Sequence, residues 1–188
     1  MTEKEWTKRI AHCLQEALSR TRYGSCKIEV GKRIPYEYEI RSYNQDDRDS
    51  KINAYQTDLA ILEFQNDGSW IPRVVVEVKM DGVHTHDAIT YSQKALSHKT
   101  VHPYLRYGII LADRKNRPLP GRFYRHGAHF DFMMSFVGTR PKEAKAKKFS
   151  KLIRAEIDAS RILEKIIYEN RMRDRDCHTF LHKALRLE

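Results

Sequence analysis

The stretch Trp-Ile-Pro-Arg-Val-Val-Val-Glu-Val-Lys-Met, residues 70–80, constrains the fold more than any other. Valines at 74, 75, 76 and 78 mark a strand buried in a sheet. Glu77 and Lys79 interrupt that run, two charges where burial is most expensive. Side chains two apart on a strand share a face, so the acid and the base project together, about 7 Å apart along the chain. Such a strand either ends in a chemical site or carries a Glu–Lys pair at a water-exposed end.

The flanking sequence supplies neighbours for it. Gln65–Trp70 reads as a hairpin turn that joins it to the preceding strand, Tyr55–Phe64. Upstream, residues 5–22 place Trp6, Ile10, Cys13, Leu14, Ala17 and Leu18 on one helical stripe. A short strand at 26–30 and an alternating strand from Ile34 to Arg41 follow, and residues 44–51 read as a polar loop. Downstream, Thr85 or Asp87 caps a helix that carries Ala88, Ile89, Ala95 and Leu96. Residues 104–113 form another strand, so strand, helix and strand suggest a crossover between parallel strands. Residues 114–127 read as a basic loop broken by prolines and glycine, and 129–138 as a further strand. From Pro141 a long amphipathic helix carries Phe149, Leu152, Ile153, Ile157, Ile162, Leu163, Ile166 and Ile167, and a shorter helix ends the chain.

A length of 188 residues suits one domain, with a core over about 5–137 and basic helices over about 141–188. No run of ~20 apolar residues and no signal-type stretch is present, which suggests a cytoplasmic protein. Cys13, Cys26 and Cys177 are widely spaced and read as reduced thiols. The net charge of +10 favours a polyanionic partner. Residues 140–188 hold 14 Lys and Arg against 8 Asp and Glu, so the excess leans towards the C-terminal portion.

Asp58 is the one acid within the apolar run of the preceding strand, and hairpin pairing can set it across from Glu77. Two carboxylates at a sheet end make a hard oxygen site suited to Mg²⁺. A lysine beside them can hold or help deprotonate a water and balance charge on a phosphate.

Asp58, eighteen residues, then Glu77-Val78-Lys79, on consecutive strands between an N-terminal helix and a crossover, resembles the PD-(D/E)XK nuclease superfamily. The resemblance covers roughly residues 5–112. It implies an α/β fold, a mixed α+β sheet on the restriction-endonuclease-like αβββαβ core, here with a C-terminal helical extension. It implies further that Asp58 and Glu77 bind Mg²⁺, with Mn²⁺ able to substitute, that the Val78 carbonyl is another ligand, and that Lys79 serves the attacking water. Thr57 stands where the motif has proline. Gln93 has no tyrosine four residues on, unlike the RecB-type exonucleases.

Glu37, Glu39 and Glu16 could each add an acid or simply face water, with Glu39 the preferred metal ligand. Glu63 reads as a surface residue. His84 and His86 have no third ligand at a recognisable spacing, and His98 and His102 read as ordinary residues at a helix end. Arg114, Lys115, Arg117, Arg122 and Arg125 are candidate DNA contacts, the alternative being a solvated basic loop. The expected activity is Mg²⁺-dependent endodeoxyribonuclease action on double-stranded DNA, first as a type II restriction endonuclease. A Holliday-junction resolvase or repair nuclease comes second, and a non-catalytic DNA-binding module third. Cutting both strands calls for a homodimer, with the long C-terminal helix as its candidate interface.

Overall fold

The computed structural model describes residues 1–45, 47–80, 82–112, 118–138, 142–169, 181–182 and 185–187. Helix α1 (Glu3–Ser19) precedes strands β1 (Cys26–Val30), β2 (Arg33–Tyr43), β3 (Arg48–Gln56), β4 (Leu59–Phe64) and β5 (Trp70–Met80). Next come α2 (Thr85–Val101), β6 (Arg106–Ala112), α3 (Gly121–His126), β7 (Phe132–Ser135), α4 (Glu143–Glu164) and a π-helical turn, Lys165–Glu169. Among the described residues, no helix is long and apolar enough to cross a membrane.

Five strands form a mixed sheet in the order β1-β4-β5-β6-β7. The β1/β4 and β4/β5 pairs are antiparallel, and β5/β6 and β6/β7 are parallel. The mixed α/β class expected from the sequence is therefore present. Gly68 adopts φ +83° in the β4–β5 turn, a conformation that favours glycine. A Cβ on Gly108 would lie 2.2 Å from the Phe132 ring, so glycine is what lets β7 close against β6.

Alternation divides the sheet between two layers. Val74, Val76, Val78, Ile110 and Ala112 join Trp6, Ile10 and Leu14 of α1 and Phe149, Ile153 and Ile157 of α4. On the opposite face, Ala60, Leu62, Val75 and Tyr107 meet Ile34 of β2 and Ala95 of α2. Ile109 and Leu111 pack there with Ala88 of α2 and Phe123 of α3. Glu77 and Lys79 have the same parity as Val75, so they belong to the α2 side.

Several elements differ from the sequence reading. Residues 48–51 are not loop but the start of β3, which pairs with β2 as a separate two-stranded sheet. The expected strand 55–64 is broken because the Thr57 N–H and hydroxyl both donate to the Lys32 carbonyl, each at 2.9 Å, turning the chain before β4. Part of the basic loop is the helix α3, which follows Pro120 and anchors Phe123 in the core. Cys13 is exposed, off the buried stripe of α1. Helix α4 spends Phe149, Ile153 and Ile157 on the core and leaves Ile162 exposed, as is Ile166 of the π-helical turn that follows. The short helix expected at the end of the chain and Cys177 fall largely or wholly outside the described residues.

Glu63 is not a surface residue either. It lies in β4 and pairs with Arg73 Nε at 2.6 Å and with Arg161 of α4, while Arg73 also reaches Glu164 at 2.6 Å. Burial pushes the Glu63 carboxyl up, but Arg161 and Arg73 outweigh it and hold the group below its ordinary range. Glu63→Ala would leave the buried Arg73 with Glu164 alone, beside the Arg161 cation. A loss of about 2–3 kcal/mol in urea denaturation is expected, below the full cost of breaking a buried pair because Arg161 is partly in water.

Candidate active site

Strand β5 outruns its neighbour. The β4/β5 register pairs Leu59 with Val76, so β4 ends one residue short of Glu77 and leaves the edge of β5 open on that side. Asp58, immediately before β4, fills the gap: its Oδ2 accepts the Val78 N–H at 2.8 Å. Two residues on, Glu3 from the first turn of α1 accepts the Met80 N–H at 2.8 Å. Two acids thus stand in for the missing strand along one edge. In an antiparallel ladder a residue's N–H and C=O face the same neighbour, so the Val78 carbonyl lies on this edge too.

Glu77 is 2% exposed and carries two partners on one oxygen. Oε1 accepts from Lys94 Nζ of α2 at 3.0 Å and from the Tyr107 hydroxyl of β6 at 2.5 Å. Lys94 Nζ also lies 5.2 Å from the Tyr91 ring centroid and 5.4 Å from that of Tyr55. Burial, and then the charge of Glu77, push the Asp58 carboxyl up to about 7, against the opposing Val78 N–H. The same two causes push the Tyr107 hydroxyl well above its ordinary range. Lys94 is the ammonium set against this pair of carboxylates.

Lys79 takes a different partner from the one anticipated. Its Nζ lies 3.4 Å from Asp87 Oδ1, not against Glu77. Asp87 also accepts the His84 N–H at 2.7 Å, closing the first turn of α2, whose N-cap is His84 rather than Thr85 or Asp87. Burial pushes the Asp87 carboxyl up, but the His84 N–H and Lys79 outweigh it.

The structure therefore brings together Asp58, Glu77 and Val78, with Lys79 one residue beyond. Glu39 stays apart on the two-stranded sheet, where it shares the Asn53 side-chain amide with Glu37. Among the described residues, no three His, Cys, Asp or Glu side chains gather as a metal cluster. The donor set at β5 is two carboxylates and a backbone carbonyl, all hard oxygens, and burial followed by the charge of Glu77 raises the Asp58 pKa. Such a set suits Mg²⁺, with water and substrate oxygens completing its shell.

No family model, curated protein or solved structure matches this chain.

Of the proposed DNA contacts, Arg122 and Arg125 lie on α3. Arg122 Nη1 donates to the Val83 carbonyl at 2.7 Å, which sets it at the turn after β5, and Arg125 is exposed. Arg114, Lys115 and Arg117 lie outside the described residues. A cleft of about 510 Å³ between α1 and α4 contains none of the acids of this site.

Sequence reasoning missed Glu3, Lys94, Tyr107 and Asp87. Lys94 had a signal, since it lies between Tyr91 and His98 on the helix face that Ala88 and Ala95 bury.

Proposed function

We propose that this chain is a Mg²⁺-dependent endodeoxyribonuclease of the PD-(D/E)XK type. The observation that carries the reading is the meeting of Asp58 and Glu77 across the open end of β4/β5, with Lys79 next on the same strand. The order of α1, β1, β4, β5, α2 and β6, antiparallel twice and then parallel, supports the αβββαβ core, with the β2/β3 hairpin inserted in it. A net charge of +10 supports a polyanionic substrate.

Asp58, Glu77 and the Val78 carbonyl would hold the cation. When bound, Mg²⁺ supplies Lewis-acid stabilisation of phosphoryl charge and a more acidic water. Lys79 positions the attacking water and offsets charge on the pentacovalent phosphorus. Water oxygen bonds to phosphorus and releases a proton to solvent as the bond to the 3′ oxygen breaks, and that oxygen takes up a proton from solvent. Lys94 and Tyr107 orient Glu77. Arg122 and Arg125 lie within reach of a backbone passing the same strand end. Action on both strands of a duplex would require a homodimer, either as a type II restriction endonuclease or as a resolvase or repair nuclease.

The test is cleavage of supercoiled plasmid in Mg²⁺ or Mn²⁺ by the wild type and by Glu77→Gln, which keeps the shape of the residue. Wild-type cutting that the variant loses is expected. Equal cutting by both, or none by the wild type with either ion, would overturn the reading and leave a DNA-binding module.

A further inference from the structure

The base of the β2/β3 hairpin carries an aromatic pair that the hydrolytic reading does not use. Tyr36 and Tyr55 stack with ring centroids 3.7 Å apart and planes within 9°. Two core aromatic pairs behave differently, Trp6/Phe136 and Phe136/Phe149 meeting edge to face at 73° and 85°. Tyr36 and Tyr55 are not core residues: Tyr55 is 37% exposed and Tyr36 is partly exposed.

The arrangement is built rather than incidental. The β2/β3 register jumps from Pro35↔Ala54 to Glu37↔Asn53, so Tyr36 is the extra residue of a bulge. A bulge re-aims its side chain, here onto the ring of Tyr55. Fully buried His98 props the pair from below, its ring edge-on to Tyr36 at 6.2 Å and to Tyr55 at 5.9 Å. Its Nδ1 meets the Pro35 carbonyl at 3.1 Å, tying the prop to the bulge. The column runs from Glu77 through Lys94 to Tyr55 and then Tyr36.

We propose that Tyr36 and Tyr55 form a stacking platform for an unpaired nucleobase of the DNA substrate. The proposal rests on the nuclease reading and narrows its substrate to DNA with an unpaired base close to the cleaved phosphate. An aromatic face binds any base by stacking, without regard to sequence. A base inside an intact duplex has both faces covered by its neighbours, so only a single strand, a fork or a flipped base can add to the column. Further along the hairpin, Glu37 and Glu39 face the same side as Tyr55 and would repel a backbone following the arm. Contact is therefore confined to one or two bases at the Tyr36 end of the column.

The experiment measures binding, with Ca²⁺ replacing Mg²⁺, of three labelled probes: a single strand, a forked duplex and the fully paired duplex. The wild type should prefer the first two. Tyr36→Ala should weaken them roughly 5- to 150-fold and leave the paired duplex within two-fold, while Tyr36→Trp retains the preference. Fork binding without single-strand binding would place the unpaired base at a branch, and equal gains would mean any unpaired base; both support the platform. Equal wild-type affinity for all three probes would overturn it, as would a Tyr36→Ala loss that is equal across them. Platform binding without Mg²⁺-dependent cleavage would remove the nuclease reading alone. Cleavage with no probe preference would remove the platform alone.

Discussion

Asp58→Asn is expected to raise the melting temperature at pH 8 in the absence of divalent ions and to abolish Mg²⁺-dependent cleavage of DNA. The folded protein holds the Asp58 proton up to about pH 7, whereas a free carboxyl releases it near 3.8. Stability from that proton is complete below the unfolded value and is lost as pH rises through about 7. The shift corresponds to at most about 4 kcal/mol, and partial contact with water reduces this to about 2 kcal/mol. Asparagine stays neutral at every pH, and its amide oxygen can still accept the Val78 N–H. The variant should match the wild type near pH 4, gain steadily to pH 7 and exceed it by about 4–8 °C at pH 8. Mg²⁺ should then stabilise the wild type and leave the variant unmoved. A variant less stable than the wild type at pH 8 would identify the carboxylate as an anchor for the β5 edge and nothing more.

The part of the site that was legible in the sequence is the part written on adjacent strands. A hairpin turn and a period of two set Asp58 against Glu77 and put Lys79 on the face of Glu77. Glu3 and Tyr107 were not legible, because they come from elements whose placement depends on the whole sheet. Helix α2 hid Lys94 for a different reason. Its large aliphatics, Ile89 and Leu96, are 49% and 38% exposed, while Ser92 and His98 point inward. A helix that lines a polar site breaks the rule that apolar residues mark the buried face. The start of β3, residues 48–51, was read as loop because a two-stranded ribbon with few buried side chains leaves no clear alternation in its sequence. Glu63 was read as surface because one of its two partners, Arg161, lies 98 residues away and cannot be paired with it by spacing.

Two lysines now compete for the role assigned to one, and their variants should fail in different ways. Lys79 is held by Asp87 at the mouth of the site, with its side chain 28% exposed, and ligates nothing that a metal would need. Lys79→Ala should keep DNA affinity and cation binding while single-turnover cleavage falls by roughly 10²–10⁴-fold, because the water loses the group that positions it and the phosphoryl charge loses its offset. Lys94 instead neutralises a buried carboxylate. Lys94→Met should cost roughly 3 kcal/mol of stability without metal, because Glu77 keeps only the Tyr107 hydroxyl. Mg²⁺ should restore much of that loss by supplying the missing positive charge, and the rescued variant should cleave within about ten-fold of wild type. The reverse pattern, Lys79→Ala near wild type and Mg²⁺-stabilised Lys94→Met down by the same 10²–10⁴-fold, would move the attacking water to the helix lysine. Near-normal cleavage by both variants would mean that neither ammonium serves the water, and the Glu77–Lys79 spacing would lose its chemical explanation.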